Sequence, residues 1–323
     1  MNKIDPKIIF FGTPEFASGI LESLIGAGYK ISAVFTQPDK KVGRDRKIVF
    51  SPVKKLALRR EIKVFQPESL REIRIIRDIG KIGANLFIIA AYGKILPKEI
   101  LDIPEFGAIN IHASLLPKYR GASPVQCAIL EGEKETGITL MLMNEKMDEG
   151  DVLVQEKMEI GENETAQILL EGLEKLGAKM MVGFIPDWTS GKVNPRPQNH
   201  SQATYCQIIR RQDGKINWNF SAAEIHRKWR AYQPWPGIFS IIEIPAKDGK
   251  NQPKRIKLSE VEIIPRSETG EDFGKIIKYN QNVAVQAKQG LIVLKKVQLE
   301  GKNEMDMADF VRGYPDFVGS KLE

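Results

Sequence analysis

Asn110 and His112 are separated by one residue in Ala108-Ile-Asn-Ile-His-Ala-Ser-Leu-Leu-Pro-Lys-Tyr-Arg-Gly-Ala-Ser-Pro124, where an apolar run gives way to a polar loop, and His112 is one of three histidines among 323 residues. Residues two apart on a strand project to the same side, so an amide and an imidazole placed this way can converge on one atom. Downstream, Met147-Asp-Glu-Gly-Asp-Val-Leu153 sets Asp148 before a turn glycine, where its carboxylate can orient or ionise the imidazole. An amide donor, a titratable imidazole and a carboxylate suit acyl transfer. An Asn and a His at a strand end are, alone, more often structural, and it is their company with Asp148 and the proline-arginine-glycine loop that points to catalysis. His200 and His226 lack such company and are read as a linker and a helix residue. Asp151 is read as a turn carboxylate, with Asp148 the acting acid.

These side chains need a frame, and the chain supplies an alternation of elements. Lys7 to Phe11 reads as a buried strand, followed by the turn Gly12-Thr-Pro-Glu-Phe16, with Pro14 suited to a first helical turn. A helix through Leu21 and Leu24 ends at Gly26 or Gly28. Strand Ile31 to Phe35, a long polar loop, a helix from about Pro52 to Arg60, a short strand near Val64, a further helix, and strands Ala84 to Ala91 and Ala108 to Ala113 continue the pattern. Such β-α-β order implies a parallel sheet covered on both faces, with ligands near the carboxyl ends of strands. Thr136 to Asn144 is a further strand, and Thr165 to Phe184 has the spacing of an amphipathic helix. Residues 188 to 202, with Ser190-Gly191, Pro195 and Pro197, look like a linker.

Beyond it the pattern changes to short β-like runs, at Ile238 to Ile244, Ile256 to Ile264, Gly274 to Tyr279, Asn282 to Ala287 and Leu291 to Leu299, preceded by a helix from about Ser221 to Ala231. The expected fold class is α/β: a Rossmann-like parallel-sheet domain over 1–189, a linker over 190–205 and a small OB-like β-barrel over 206–323. The Gly12 turn lacks the Gly-x-Gly-x-x-Gly pattern, so no dinucleotide is expected. Trp229, Tyr232 and Trp235 are expected to pack between helix and barrel rather than stack on bases.

With 42% hydrophobic and 28% charged residues the chain is globular, not a disordered tail, and its net charge of +7, concentrated toward the C-terminus, favours a polyanionic partner. Two cysteines, Cys127 and Cys206, are too few and too distant for a disulfide framework or a Cys-based zinc site, which suits a reducing cytoplasm. No stretch approaches the roughly 20 apolar residues of a membrane span. No cluster has metal-ligand spacing, and no metal is expected.

Asn110 to Pro124, Asp148-Glu-Gly150, the opening Phe11-Gly-Thr-Pro-Glu-Phe-Ala17 and Thr36-Gln-Pro-Asp39 together resemble the methionyl-tRNA formyltransferase family, and Arg230-Ala-Tyr-Gln-Pro-Trp-Pro-Gly237 is similar to that family's C-terminal signature. The resemblance covers nearly the whole chain. The Asn-x-His and Asp-x-Gly pair is shared more widely, with sugar and nucleotide formyltransferases and formyltetrahydrofolate hydrolases, which form the alternative reading. A non-catalytic RNA-binding protein built on an old enzyme core is a third.

The resemblance implies formyl transfer from 10-formyltetrahydrofolate to the α-amino group of methionyl initiator tRNA, by a cytoplasmic or organellar, monomeric enzyme that needs no membrane. It makes Asn110, His112 and Asp148 the catalytic residues. It puts Ser114, Leu115, Leu116 and Pro117 along the folate pocket, with Tyr92, Gly93, Ile95 and Leu96 beside the pterin. It assigns Arg120 to loop anchoring or to a phosphate. The loop Asp39-Lys-Lys-Val-Gly-Arg-Asp-Arg-Lys47 carries five basic residues in nine. In the family the corresponding insertion enters the tRNA acceptor region, which implies tRNA contacts by Lys40, Lys41, Arg44, Arg46 and Lys47, with Lys54 and Lys55 extending the basic surface. Asp45 stands where a small residue is common.

Overall fold

The computed structural model describes residues 5–42, 47–245, 251–267 and 269–323. Contacts divide the chain into two compact units: Met1–Ala128, Lys134–Ile160 and Ile168–Ile208 form the first, and Ile129–Glu133, Gly161–Gln167 and Ile209–Glu323 the second. Two short pieces before residue 189 thus group with the second unit, and residues 190–205 with the first.

In the first unit the elements run β1 (Lys7–Gly12), α1 (Glu15–Gly26), β2 (Lys30–Phe35), β3 (Lys40–Val42), β4 (Lys47–Val49), α2 (Pro52–Arg59), β5 (Val64–Phe65), α3 (Ile73–Ile82), β6 (Leu86–Ala90), α4 (Lys98–Leu101), β7 (Ala108–His112), β8 (Arg120–Gly121), α5 (Pro124–Glu131), β9 (Glu135–Leu142), β10 (Val152–Glu159), α6 (Ala166–Thr189) and β11 (Tyr205–Cys206). The main sheet has the order β10-β9-β7-β6-β1-β2-β5. The strands from β5 to β7 are parallel, while β9 and β10 join antiparallel at the other edge. All of β6 and all but the first residue of β1 are buried, the continuous apolar run expected of strands covered on both faces. Phe11 and Phe35 stack at 4.8 Å, and Phe35 and Phe65 at 4.7 Å, which knits the middle of the sheet to its β5 edge.

Local chemistry explains where the elements start. Ser51 caps α2 by accepting the Lys54 amide at 3.1 Å, with Pro52 in the first turn. Pro14 lies just outside α1, at its N-cap. The stretch 36–51, read from sequence as a loop, contains the β3–β4 hairpin with Lys40 opposite Val49.

Helix α6 outlasts its expected end, running past Pro186 to Thr189. Trp188 explains the extension: its indole donates to the Phe106 carbonyl at 2.8 Å and its ring stacks on Phe184. The segment after it is a strap, not a free linker. Val152 and Arg196 exchange two backbone bonds of 2.8 and 2.9 Å, and β11 pairs in parallel with β8. Prolines fix its dihedrals while its amide side chains and backbone bond to the unit beneath.

The second unit holds α7 (Ala222–Ala231), β12 (Ile238–Pro245), β13 (Asn251–Ile264), β14 (Ile276–Tyr279), β15 (Asn282–Gln286), β16 (Leu291–Leu299), β17 (Glu304–Asp306) and α8 (Met307–Gly313). Ser221 and Glu224 form a capping box at the start of α7. The antiparallel order is β12-β13-β16-β15-β14, with β17 on β16. Irregular register around Ser259 and Glu260 marks a bulge in the long β13, which pairs with β12 from Asn251 to Leu258 and with β16 from Ile256 to Ile264.

The expected barrel is therefore met as a half-barrel whose edges are β12 and β14. The last residues lie between those edges: Glu323 exchanges bonds of 3.3 and 3.0 Å with Ile241 on β12, and Ile276 on β14 donates to Ser320 at 3.0 Å. Trp229 and Tyr232 pack inward as expected, the Trp229 indole donating to Ser259 O at 3.1 Å, but Trp235 is exposed because its ring lies in the turn after α7.

Candidate active site

Strand β7 carries Asn110 and His112 on one face of the sheet, opposite Met141 and Thr139 of β9. Two connections fold back onto that face. One is the loop from Ala113 to Gly121, and the other is the turn from Met143 to Asp151 between β9 and β10. In that turn Asp148 sends Oδ1 to both sequence-predicted partners: Asn110 Nδ2 donates to it at 3.3 Å, and His112 Nδ1 stands 3.7 Å away. The three residues expected to meet do meet. Asp151 does not take part in this contact, its carbonyl instead accepting the Leu142 amide at 2.9 Å. With side chains 6% and 14% exposed, His112 and Asp148 are shielded enough for their interaction to be only weakly screened.

The other ring nitrogen fixes the tautomer. His112 Nε2 lies 2.9 Å from the Tyr119 carbonyl oxygen, which can only accept, so Nε2 carries a hydrogen. Nδ1 is then the nitrogen left to gain or lose a proton, and it faces Asp148. Asn110 spends one amide hydrogen on Asp148 and retains a second N–H. Asp148 Oδ2 accepts the Gly121 amide at 2.8 Å. Gly121 sits at φ 109°, and a Cβ there would run into the Cys206 carbonyl, so glycine allows β8, β11 and the Asp148 turn to close up together.

Arg120, left between two roles by the sequence, is an anchor. Its guanidinium is fully buried. It donates to Gln198 Oε1 from Nε (3.2 Å) and Nη2 (2.8 Å) and to Tyr205 Oη from Nη1 (3.2 Å). His200 Nδ1 accepts from Nη2 at 3.0 Å, and Glu149 Oε1 lies 3.4 Å from Nη1. A buried guanidinium needs this many acceptors to offset lost hydration. His200 therefore has a partner that sequence reading did not assign, and Gln198, Glu149 and Tyr205 were missed altogether. The amide-rich composition of the segment was the available signal.

The folate-loop residues divide by side. Ser114 and Leu116 point inward. Thr139 Oγ1 donates to Ser114 O at 2.6 Å and accepts the Leu116 amide at 3.1 Å, while Gln155 Nε2 donates to Leu116 O at 2.8 Å. Leu115 and Pro117 are half-buried. In the other loop Tyr92 and Leu96 are buried in the cluster with Phe11, Phe35 and Phe87, whereas Gly93 and Ile95 are exposed. Burial pushes the Tyr92 phenol well above its ordinary value. The Tyr92 carbonyl accepts from Thr13 Oγ1 and Gln37 Nε2, both at 3.1 Å, tying the ends of β1, β2 and β6. Met143 packs against both this cluster and the one around Leu116, which places the two loops on neighbouring ground.

On the hairpin, Lys40 and Lys47 are exposed. Arg44, Asp45 and Arg46 lie outside the described residues, and so does the side chain of Lys41. Lys54 does not extend the basic surface: its ammonium is held by Asp39 at 2.5 Å and by Gln66 at 2.7 Å, and its side chain is only 14% exposed. Asp39 consequently titrates below its ordinary value, the bonds from Lys54 and Gln66 outweighing the opposing effect of desolvation. Lys55 is exposed. Among the described residues no group of three or more His, Cys, Asp or Glu could hold a metal ion, and no helix is long and apolar enough to cross a membrane.

Residues 6–185 match the model of the formyl transferase family, and residues 208–315 match that of the formyl transferase C-terminal domain. Methionyl-tRNA formyltransferases of Caldanaerobacter subterraneus subsp. tengcongensis and Alkaliphilus oremlandii are 40% and 42% identical, covering 95% of this chain and 97% and 96% of the relatives. Solved structures share the fold at lower identity. A sugar 3N-formyl transferase, WlaRD, aligns with a TM-score of 0.61 at 21% identity over 93% of this chain and 100% of its own. HypX from Aquifex aeolicus, solved with tetrahydrofolic acid, aligns with a TM-score of 0.63 at 14% identity over 98% of this chain and 48% of its own. With two domain models in register and near-complete alignment to relatives at this identity, the chain belongs to the methionyl-tRNA formyltransferase family.

Proposed function

We propose that this chain transfers the formyl group of 10-formyltetrahydrofolate to the α-amino group of methionyl initiator tRNA, with Asn110, His112 and Asp148 as the acting side chains. The observation that carries the residue assignment is the convergence of Asn110 Nδ2 and His112 Nδ1 on Asp148 Oδ1, at 3.3 and 3.7 Å.

The chemistry follows from that geometry. An α-amine has a reference pKa of about 8, so a useful neutral fraction exists near neutrality and no strong base is needed to make the nucleophile. Its nitrogen bonds to the formyl carbon and the carbonyl oxygen gains negative charge, for which the second N–H of Asn110 is a fixed donor. The new ammonium must lose a proton and the departing folate nitrogen must gain one. His112 Nδ1 can accept the first and return it to the second, so the sum of steps consumes no proton. Asp148 stabilises the imidazolium between those transfers.

Ligand contact in the two loops is assigned to Gly93, Ile95, Leu115 and Pro117, with Tyr92, Leu96, Ser114 and Leu116 shaping them from beneath. Lys40, Lys47 and Lys55 supply exposed positive charge for a phosphate backbone, and Lys41, Arg44 and Arg46 are assigned to the same contact from sequence. The deciding measurement incubates purified protein with 10-formyltetrahydrofolate and either methionyl initiator tRNA, uncharged tRNA or an amino-sugar nucleotide. Formylation confined to the charged tRNA is expected. Transfer to the sugar nucleotide alone would overturn the reading.

A further inference from the structure

Gln198 occupies a junction behind the acting side chains, reaching Asp148 through its backbone. Its buried carboxamide uses its whole polar edge. Oε1 accepts from Arg120 Nε and Nη2 at 3.2 and 2.8 Å, while Nε2 donates to the backbone carbonyls of Asp148 and Gly150 at 2.9 and 2.7 Å. The orientation of the amide is unambiguous, because a guanidinium only donates and carbonyls only accept. Turned over, the amide would oppose N–H to N–H and oxygen to oxygen.

The carbonyls it grips flank Glu149, in the turn that presents Asp148. Asp148 has φ 54°, in the left-handed region that L side chains disfavour, and such a conformation persists only where its surroundings impose it. Gly121 and Asn110 hold its carboxylate. Gln198 holds its backbone. At Gly150 a Cβ would come within 1.8 Å of the Leu142 carbonyl oxygen, so the turn is also pressed against the end of β9.

We infer that Gln198 is a positioning residue for formyl transfer: locked by Arg120, it clamps both sides of Glu149 and so keeps the Asp148 carboxylate on His112 Nδ1. The inference rests on the role given to Asp148 and adds to it a side chain from the strap, outside the stretch that carries the transfer motifs. A clamp of this kind acts on turnover more than on substrate affinity, since a misplacement of about 1 Å at a reacting group costs on the order of 100-fold in rate.

The test compares Gln198→Glu, Gln198→Met and Asp148→Asn with the parent enzyme. Gln198→Glu keeps an acceptor for Arg120 but removes both N–H donors, whereas Gln198→Met removes donor and acceptor together. For Gln198→Glu we expect kcat to fall about 10–100-fold, with both KM values within about twofold, a melting temperature near the parent's and a displaced ¹⁵N signal from the His112 ring. Gln198→Met should lose kcat and stability together. In the parent, the Gln198 side-chain amide should exchange its hydrogens slowly, a reading that needs no variant to fold. Parent-like kcat in a folded Gln198 variant, a loss confined to KM, or fast amide exchange would each overturn the clamp while Asp148→Asn remained inactive. Parent-like kcat in Asp148→Asn would instead overturn the assignment of Asp148 itself, and the clamp with it.

Discussion

In the mechanism proposed above, His112 has one nitrogen with which to exchange a proton, because the Tyr119 carbonyl holds the hydrogen on the other. Replacing His112 by Ala should therefore remove the proton shuttle without loosening the sheet: kcat is expected to fall about 10²–10⁴-fold, with the melting temperature within a few degrees of the parent. Near-normal single-turnover rates would exclude His112 from the mechanism. Asn110→Ala takes away the proposed oxyanion donor and should cost about 10²–10³-fold in kcat, read against unchanged folate binding. Arg120→Ala makes the opposite kind of variant. It leaves the buried Gln198 Oε1 without its donors, and an acceptor stranded in this way costs about 1–3 kcal/mol, visible as a lowered denaturant midpoint.

Among the elements, α7 carries the clearest pH dependence. Burial, aided by Arg230, pushes His226 down from 6.5 to about 4, so the folded chain keeps it neutral while the unfolded chain protonates it. The stability this provides is complete above pH 6.5 and is lost as pH falls toward 4, by about 1–3 kcal/mol. Melting temperatures across that window should show the slope, and His226→Leu should flatten it.

Strands and helices of this kind were legible in the chain because their information is local. The apolar run of β1, the helix read from about Ser221 to Ala231 and the β-like run Leu291 to Leu299 each lie within one window. Asn110 and His112 were legible for the same reason, being two apart on one strand. Gln198 meets Arg120 from 78 residues away, and no local period announces a contact between polar side chains so far apart. The burial of Lys54 under Asp39 and the continuation of α6 beyond Pro186 escaped notice likewise, since each is decided by a tertiary partner.

For the whole molecule, the +7 net charge sets how a polyanion is met. Binding of methionyl-tRNA should weaken steeply with salt, with a log–log slope close to the number of phosphates contacted, because each contact releases counterions. A flat profile measured by filter binding would count against the exposed lysines as its docking surface. Residues 320–323 lie between β12 and β14 like a stave of a cask, Glu323 bonded to Ile241 and Ser320 to Ile276. Deleting residues 319–323 should bare two rows of peptide groups that invite pairing with neighbouring molecules. Light scattering of that shortened protein should reveal self-association absent from the parent.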